Sequence, residues 1–413
     1  MFFLKWLLFS MNKSTFCVLP FIHLEARADG FVAPCCMSQT FYKGKDGKPF
    51  HLSKNTLSEI WNSDSINALR ENLNNGVKDK ACEACWTEES VGRISRRLRE
   101  NKRWQLQIDD LEASHFQNKS PIFLDLKLGN TCNLKCRICG PGSSSSWVKE
   151  WKDVTGSDLL ERLSNDVANN ANKRIISSWP DTNPKFWEDF STMLPTIKSF
   201  EIFGGEPFLI KQHFDLLKKS VNLGYSKGQR IHYNSNGTIF PEQAIAEIWP
   251  HFENVHLMLS IDGIGPQFEY QRHPARWAPT EENILKFKSF MSNRDLHICM
   301  TVSSINAYYL PDYLKYFHKI EIPVWLNILY EQKVFSIKNL PMVAKNAILE
   351  KWTSMGEEKS ILTDPIDPLI NYLMNESDIE EENKLIEFLK QHDLYRNEKY
   401  SDFFPEFANI IGY

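Results

Sequence analysis

Short apolar runs of strand length recur through the middle of the chain. They cover residues 122–128, 199–204, 230–236, 255–261, 297–303 and 324–330. Between them lie segments whose apolar residues have helical spacing, such as FDLLKKSVNL and TEENILKFKSFM. Strands that alternate with helices predict right-handed βαβ units and a parallel sheet. Six units are too few for a closed eight-stranded barrel, so we expect an α/β fold with a partial (β/α)6 TIM-like barrel.

The regions on either side of this pattern differ from it. Residues 11–118 contain five cysteines and one amphipathic helix pattern, in which Ile66, Leu69 and Leu73 share a face and Ser63 or Asp64 caps the start. Residues 331–413 carry further helical patterns. We therefore expect three units. They are a cysteine-rich N-terminal domain at 11–118, the barrel at 119–330 and a helical C-terminal extension at 331–413.

Composition and charge narrow the classes of function. The 413 residues are 42% hydrophobic and 24% charged, which is ordinary for a soluble globular protein. A net charge of −4 gives no electrostatic case for nucleic acid or a membrane as partner. The apolar start MFFLKWLLFSM is short, is interrupted by Lys5 and has no small-residue cleavage site. We interpret residues 1–10 as a possible upstream extension and expect a cytoplasmic protein.

The cysteines favour metal binding over disulfides. There are nine, an odd number, and eight of them precede residue 140. Cys132, Cys136 and Cys139 stand in the loop after the first barrel strand with the spacing C-x3-C-x2-C. Zinc sites normally take four protein ligands, and ferredoxin loops have a different spacing with a fourth cysteine. Three thiolates around a four-iron cube leave one iron open, as in catalytic metal sites. Chance spacing, or a zinc site sharing an N-terminal cysteine, is the alternative.

This three-cysteine loop resembles that of the radical S-adenosylmethionine (SAM) enzymes, in which the open iron binds the amino and carboxylate groups of SAM. The family usually has an aromatic residue before the last cysteine, where this chain has Ile138. The resemblance implies a [4Fe–4S] cluster, SAM as cofactor, and a low-potential electron donor of the flavodoxin or ferredoxin type. It also implies reductive cleavage of SAM to a 5′-deoxyadenosyl radical, which abstracts a hydrogen atom from the substrate.

The ends of the next strands carry polar or glycine-rich turns in the order found in the resembling enzymes. Each turn composition is common by itself. In the family, a motif like FGGEP contacts the amino group of SAM, and polar groups at the next two strand ends bind its ribose and carboxylate. An arginine further on pairs with the carboxylate, which its planar fork fits; a surface arginine is the alternative. The residues implied are Gly204, Gly205, Glu206, Ser235, Asn236, Ser260, Asp262, Arg272 and, either as an adenine contact or as a core residue, Val302.

The N-terminal cysteines resemble a second kind of site. Cys82 and Cys85 form CEAC, and Cys17 and the adjacent Cys35 and Cys36 lie upstream. The arrangement over residues 17–86 is similar to SPASM and twitch segments, which hold auxiliary [4Fe–4S] clusters and usually follow the barrel. The resemblance implies one auxiliary cluster. Its ligands would be Cys17, Cys82, Cys85 and one of the adjacent pair, for which we favour Cys35 because Pro34 stiffens its approach. Zinc is the alternative.

The resemblance predicts a radical SAM oxidoreductase. SPASM and twitch relatives imply a peptide substrate, as in enzymes that modify ribosomally made peptides (RiPPs). A second hypothesis is a small metabolite, such as a sugar or nucleotide derivative that is dehydrogenated or rearranged. A non-catalytic iron–sulfur or zinc-binding protein is the alternative from another class. No residue is predicted as a catalytic acid, base or hydrogen donor.

Overall fold

An eight-stranded sheet is the framework of the computed structural model of the chain. The structure describes residues 14–90, 94–113, 120–155, 179–292, 295–329, 332–378, 381 and 384–413. The predicted upstream extension at 1–10 and the predicted boundary between 118 and 119 lie outside these residues. The strands are β1 (His23–Ala26), β2 (Val32–Ala33), β3 (Phe123–Lys127), β4 (Ser199–Phe203), β5 (Arg230–Ser235), β6 (Asn254–Ser260), β7 (Leu296–Val302) and β8 (Val324–Ile328).

Helices surround this sheet. Those before β4 are α1 (Leu19–Ile22), α2 (Leu57–Trp61), α3 (Asp64–Asn74), α4 (Glu83–Ser90), α5 (Arg96–Arg103), α6 (Gln105–Ala113), α7 (Trp147–Thr155), α8 (Trp179–Thr182) and α9 (Pro184–Met193). The barrel continues with α10 (Lys211–Asn222), α11 (Glu242–Glu247), α12 (Gly265–Gln271), α13 (Trp277–Phe290) and α14 (Leu310–Lys319). The C-terminal extension has α15 (Met342–Thr353), α16 (Asp367–Leu373), α17 (Lys384–Arg396), α18 (Tyr400–Phe403) and α19 (Pro405–Ile411). None of the described helices is long and apolar enough to cross a membrane.

The six predicted strands are confirmed as β3 to β8, and they pair in parallel in sequence order. The sheet is larger than the sequence predicts, because β1 of the cysteine-rich segment pairs in parallel with β3. β2 then pairs antiparallel with β1. The sequence hides β1 because it has four residues, and Glu25 interrupts its apolar pattern. The N-terminal segment and the barrel therefore share one continuous sheet.

Helix α3 follows its sequence pattern. It begins after Ser63, whose hydroxyl oxygen accepts a hydrogen bond from the amide of Ile66 at 3.4 Å. This is the N-cap contact that satisfies one of the unpaired amides of a first helical turn. Ile66, Leu69 and Leu73 are all buried, as their common face predicts.

The two faces of the sheet differ in polarity. Successive side chains of a strand point to opposite faces, and on β5 the apolar Ile231 and Tyr233 are buried in the core. Their neighbours His232 and Asn234 keep partial exposure. The same alternation continues on β4 and β6. We call the polar, partly exposed side the inner face. It is the side on which a ligand can reach the strands.

The C-terminal extension packs against the loop that carries the three barrel cysteines. The ammonium group of Lys135 lies 2.7 Å from the carboxylate of the buried Glu150 on α7. That carboxylate also contacts His392 and Arg396 of α17, both at 2.8 Å. A second Arg396 nitrogen donates to the carbonyl of Lys135 at 2.8 Å. The loop is thereby tied to α7 and α17 through one carboxylate.

Arg137, two residues after Lys135, also connects the loop to the C-terminal extension. Its guanidinium is fully buried and lies 2.6 Å from carboxylate oxygens of both Asp393 and Glu398. It also stacks over the ring of Tyr270 at 3.7 Å from the centroid. The buried charge of Arg137 is thus neutralised by the C-terminal extension, as a buried charge requires, and Lys135 is paired with Glu150 of α7.

The environment of Glu150 predicts a pH-dependent stability. Burial raises the pKa of Glu150, but the hydrogen bond from His392 and the contacts with Arg396 and Lys135 lower it to about 2. Because this pKa lies below that of an unfolded glutamate, the carboxylate stabilises the fold above about pH 4.3, and that contribution is lost as the pH falls toward 2.

We expect Glu150→Gln to lower the free energy of unfolding at pH 7 by about 3 kcal/mol, because it leaves buried cations unpaired. The difference from the unmodified chain should be smaller at about pH 3, because the carboxylate of the unfolded chain is then mostly protonated. Urea unfolding at pH 7 and at about pH 3 measures it. Glu282→Gln, at an exposed pair with Lys286, should change little. A destabilisation by Glu150→Gln that is equal at both pH values would contradict the interpretation.

Candidate active site

The three-cysteine loop lies at the carboxyl end of β3, where α/β barrels place functional groups. The amide of Cys139 donates to the carbonyl of Cys136 at 2.9 Å, which folds the last two cysteines into a tight turn. The sulfur of Cys132 accepts from the amide of Leu134 at 3.4 Å. Burial raises the pKa of the Cys132 thiol to about 11. An unliganded thiolate is therefore unfavourable here, and a bound cation would be needed to hold it ionised.

A serine tract that follows the loop braces it. The Ser146 hydroxyl donates to the carbonyl of Cys132 at 2.7 Å. The Ser144 hydroxyl donates to the carbonyl of Leu134. Behind them the indole of Trp147 donates to the carbonyl of Cys136 at 2.9 Å. Nothing in the sequence pattern points to this role, because a run of serines is also typical of a plain surface turn.

The FGGEP turn after β4 lies directly on the cysteine loop. The amide of Gly205 donates to the carbonyl of Gly129 at 3.1 Å, and the amide of Glu206 donates to that of Thr131 at 2.8 Å. A Cβ atom at Gly205 would lie 2.2 Å from the Thr131 oxygen, so a side chain cannot fit. Gly204 has a φ of 142°, which L side chains rarely adopt. The two glycines therefore allow the two backbones to meet beside Cys132.

Glu206 joins the ends of β4 and β5. Its buried carboxylate accepts from the amide of Phe208 at 3.1 Å, the hydroxyl of Ser235 at 2.9 Å and the amide of Asn236 at 2.7 Å. Burial raises the pKa of Glu206 to about 7, although these three donors oppose the rise. Contacts of Glu206 and Ser235 with SAM stay predictions. In the structure the two side chains hydrogen-bond to each other and thereby connect the ends of β4 and β5.

Two polar side chains approach the cysteine sulfurs. The side-chain nitrogen Nδ2 of Asn236 lies 3.9 Å from the sulfur of Cys132. A guanidinium nitrogen of Arg272 lies 3.9 Å from the sulfur of Cys136. Arg272 is only 7% exposed and pairs with Asp262 at 2.7 Å, so it is not the surface arginine of the alternative reading. Within the described residues its Nε has no hydrogen-bond partner. Arg272 thus keeps a donor available beside the cluster loop.

The side chains of Ser260 and Val302 lie on opposite faces of the sheet. Ser260, at the end of β6, is partly exposed on the inner face. Val302 is 1% exposed and shares the core side of β7 with Ile298 and Met300. This placement favours the core position of Val302 over the predicted adenine contact. Thr301, the residue before Val302, lies on the inner face. Because successive side chains of a strand alternate between the two faces, the period of two along β7 could have identified Thr301 as the residue on the ligand side.

Four of the five N-terminal cysteines lie together. Cys17 interacts electrostatically with Cys35, Cys82 and Cys85, and Cys82 interacts with Cys35 and Cys85. Burial raises the pKa of Cys35 and of Cys82 to about 12. The four thiols therefore lie in one region, in which Cys17 and Cys85 are buried and Cys35 and Cys82 are partly exposed. Their role as ligands of an auxiliary cluster stays a prediction.

Cys36 faces a different set of groups. Its sulfur accepts from the guanidinium of Arg96, and it interacts electrostatically with Glu25 and Asp125 of the sheet. The structure thus separates two adjacent cysteines that the sequence alone cannot rank securely.

Both cysteine sets suit iron–sulfur clusters by their donor chemistry. Across the described ranges, no group of three or more histidine, cysteine or acidic side chains is arranged to hold a metal ion. The fit therefore rests on the thiol ligands themselves and on the amide and guanidinium donors beside them, which stabilise cluster thiolates.

The grouping of the N-terminal thiols predicts opposite effects for neighbouring substitutions. Cys35→Ser should remove the auxiliary cluster and lower the iron content of the anaerobically reconstituted protein from about eight to about four per chain. Cys36→Ser, the matched control, should leave it at about eight. Iron and sulfide analysis measures both. The reverse result would assign the ligand to Cys36, and about four irons in the unmodified chain would contradict a second cluster.

The contact at Gly205 predicts that a single methyl group displaces the cysteine loop. Gly205→Ala should lower SAM binding, measured by calorimetry, by at least about tenfold, because the added Cβ overlaps the Thr131 carbonyl. Gly142→Ala, on the same loop, has nothing within 4 Å of its added Cβ and should bind SAM normally. Equal binding by the two variants would show that this contact does not position the site.

Comparison with known proteins identifies the N-terminal segment. Residues 17–86 match the family model of SPASM, an iron–sulfur cluster-binding domain, which confirms the predicted segment. No curated protein sequence matches the chain.

Several solved structures are similar at low identity. Streptococcus suis SuiB bound to S-adenosylmethionine is 14% identical over 80% of this chain and 68% of its own, with a TM-score of 0.35. Native anSMEcpe with bound AdoMet and Cp18Cys peptide is 18% identical over 39% of this chain and 52% of its own, with a TM-score of 0.28. The chain spans about half the length of the anSMEcpe structures that it matches.

The SPASM match and the three-cysteine loop occur in one chain and one sheet. Around that loop stand the glycine turn, the amide of Asn236 and the guanidinium of Arg272. The chain therefore carries a segment that matches the SPASM iron–sulfur cluster-binding domain, here placed before the barrel.

Proposed function

We propose that the chain reductively cleaves SAM at a cluster held by Cys132, Cys136 and Cys139, and that it thereby modifies a peptide. The observation that carries the proposal is the convergence of polar groups on this loop. Asn236, which follows β5, and Arg272, which follows α12, each lie 3.9 Å from a different cysteine sulfur.

The residues of the chain have distinct roles in this reaction. Cys132, Cys136 and Cys139 would hold the cluster, which would supply the electron for reductive cleavage of SAM and hence for hydrogen abstraction from the substrate. Arg272 and Asn236 donate toward the cysteine sulfurs, which offsets their negative charge and shifts the reduction potential. Asp262 holds the Arg272 guanidinium in place at 2.7 Å.

Arg272 also supports the binding of SAM. Its Nε is buried and has no hydrogen-bond partner within the described chain, and an unpaired buried donor is costly. A carboxylate such as that of the SAM methionine would satisfy it, and would match the planar guanidinium. Glu206 and Ser235 act through the strand ends that they brace, and we place them as positioning residues.

The substrate class that we propose is a peptide, modified in the manner of RiPP enzymes. The inner-face side chains of β4 to β6 keep partial exposure, so an extended segment can reach the strands. The electron comes from a low-potential donor of the flavodoxin or ferredoxin type.

The decisive test needs only SAM and a reductant. Anaerobically reconstituted protein treated with dithionite and SAM should release 5′-deoxyadenosine, measured by liquid chromatography. Combined Cys132→Ala, Cys136→Ala and Cys139→Ala should reduce this to background, and Cys36→Ser should not. Absence of 5′-deoxyadenosine from the unmodified chain would leave an electron carrier or zinc protein as the better reading.

The same assay separates the two substrate classes. Synthetic peptides and nucleotide sugars are added in parallel, and the rate of 5′-deoxyadenosine release is compared. A true substrate should raise the rate by about tenfold or more, because substrate binding organises the site for hydrogen abstraction. A response to nucleotide sugars alone would overturn the peptide assignment and keep the SAM chemistry.

A further inference from the structure

Three histidines on the inner face are joined end to end by hydrogen bonds. His232 of β5 lies in register with His256 of β6, and their Nδ1 atoms are 2.8 Å apart. The Nε2 of His256 lies 2.9 Å from the Nδ1 of His297 on β7. At the other end, the Nε2 of His232 lies 2.9 Å from the side-chain oxygen of Asn234. We call these three residues the histidine chain.

The histidine chain is linear, and this geometry distinguishes it from a metal site. His256 uses its two ring nitrogens for two different neighbours, so the three rings do not direct lone pairs at one point. Metal sites need converging lone pairs.

The amide oxygen of Asn234 fixes where every proton in the histidine chain lies. Because that oxygen can only accept, His232 carries its proton on Nε2 and its Nδ1 must accept from Nδ1–H of His256. The Nε2 of His256 is then an acceptor for Nδ1–H of His297. This assignment leaves the lone pair of His297 on Nε2. All the N–H bonds of the chain then point from His297 toward Asn234.

The rings are held neutral, as the assignment requires. Burial lowers the pKa of His232 and of His297, and it lowers that of His256 to about 4. The charged groups that act on the three rings are Glu201, Asp295 and Arg103. A neutral imidazole accepts at one nitrogen and donates at the other, which is the property a proton relay needs.

We propose that the histidine chain is a proton relay across the inner face of the barrel. A proton that binds Nε2 of His297 moves the Nδ1 proton of His297 to His256, and the Nδ1 proton of His256 to His232. His232 then releases its Nε2 proton at the Asn234 end. One proton enters and one leaves, no electron moves, and the reversed chain can carry the next proton outward.

The inner end of the relay lies beside the partly exposed Glu201 and, one strand further, the buried Asp125. His232 is in register with Glu201 of β4, which is in register with Asp125 of β3. Asp125 is 1% exposed and its Oδ1 has no hydrogen-bond partner among the described residues. Burial and the charges of Glu25 and Glu201 raise its pKa. The relay therefore ends next to side chains that can hold or take a proton on the ligand-facing side of the sheet.

The role of the relay rests on the proposed function, because substrate oxidation by hydrogen-atom loss also releases a proton. The hydrogen atom would go to the 5′-deoxyadenosyl radical and the electron to an oxidised iron–sulfur cluster. The proton would leave through the reversed relay, in which Nε2 of His232 has the lone pair that accepts it, and this outward transfer returns the three rings to their first tautomers. The arrangement of the rings can nevertheless be tested without SAM or substrate.

The first experiment determines the tautomers by nitrogen NMR of the oxidised holoprotein labelled at histidine. We expect the Nε2–H form for His232 and the less common Nδ1–H form for both His256 and His297, all neutral at pH 7. Single His→Gln variants assign the signals. A His256 that is protonated on Nε2, or charged at pH 7, would overturn the proposal.

The second experiment cuts the relay. His256→Gln should slow exchange of the His232 Nε2 proton with water by about tenfold or more, because exchange then requires local opening. His251→Gln, at an exposed position, should leave the rate unchanged. If His256→Gln does not fold, His297→Gln removes the outer end and should slow the same exchange. An unchanged rate in a folded variant would overturn the relay.

The two proposals fail in different ways. Unmodified protein that shows these tautomers and exchange rates but never releases 5′-deoxyadenosine would overturn the SAM chemistry and keep the relay. Release of 5′-deoxyadenosine together with the wrong tautomers would do the opposite.

Discussion

The position of the three cysteines depends on a backbone contact that only glycine permits. Gly205 brings the end of β4 against the Thr131 carbonyl, one residue before Cys132. Because β4 and the cysteine loop meet here, Glu206 can reach the end of β5 and bring Asn236 to a cysteine sulfur. A small change in this contact moves several ligand-facing groups together.

The same loop is also held by ion pairs between its cations and neighbouring elements. Lys135 and Arg137 alternate with the cysteines and contact buried carboxylates of α7 and the C-terminal extension. Such buried charges are costly unless each is paired. They add little net stability compared with apolar packing, but they allow one arrangement of the loop, because any other leaves a buried charge alone. The extension at 331–413 thus acts on the site without contributing a cysteine.

The sequence predicts those parts of the structure that are set by local periodicity and by close spacing. The six barrel strands, the cap at Ser63 and the three-cysteine loop all follow from patterns within a few residues. Strand β1 could not be predicted, because its pairing with β3 joins residues about a hundred positions apart. Contacts of Arg137 with Asp393 and of Cys36 with Arg96 also join residues far apart in sequence. Val302 was ambiguous because the last residue of a strand can belong to either side until its neighbours are placed.

The parallel pairing of β1 with β3 has a consequence for anyone who divides this protein. A fragment that begins after the cysteine-rich segment would leave the backbone amides and carbonyls of β3 uncovered along one side. An exposed edge strand of this kind can pair with the edge strands of other copies, so the fragment should form insoluble aggregates. The N-terminal segment is therefore also the part that closes one border of the barrel sheet, and its iron site and its solubility role cannot be separated by truncation.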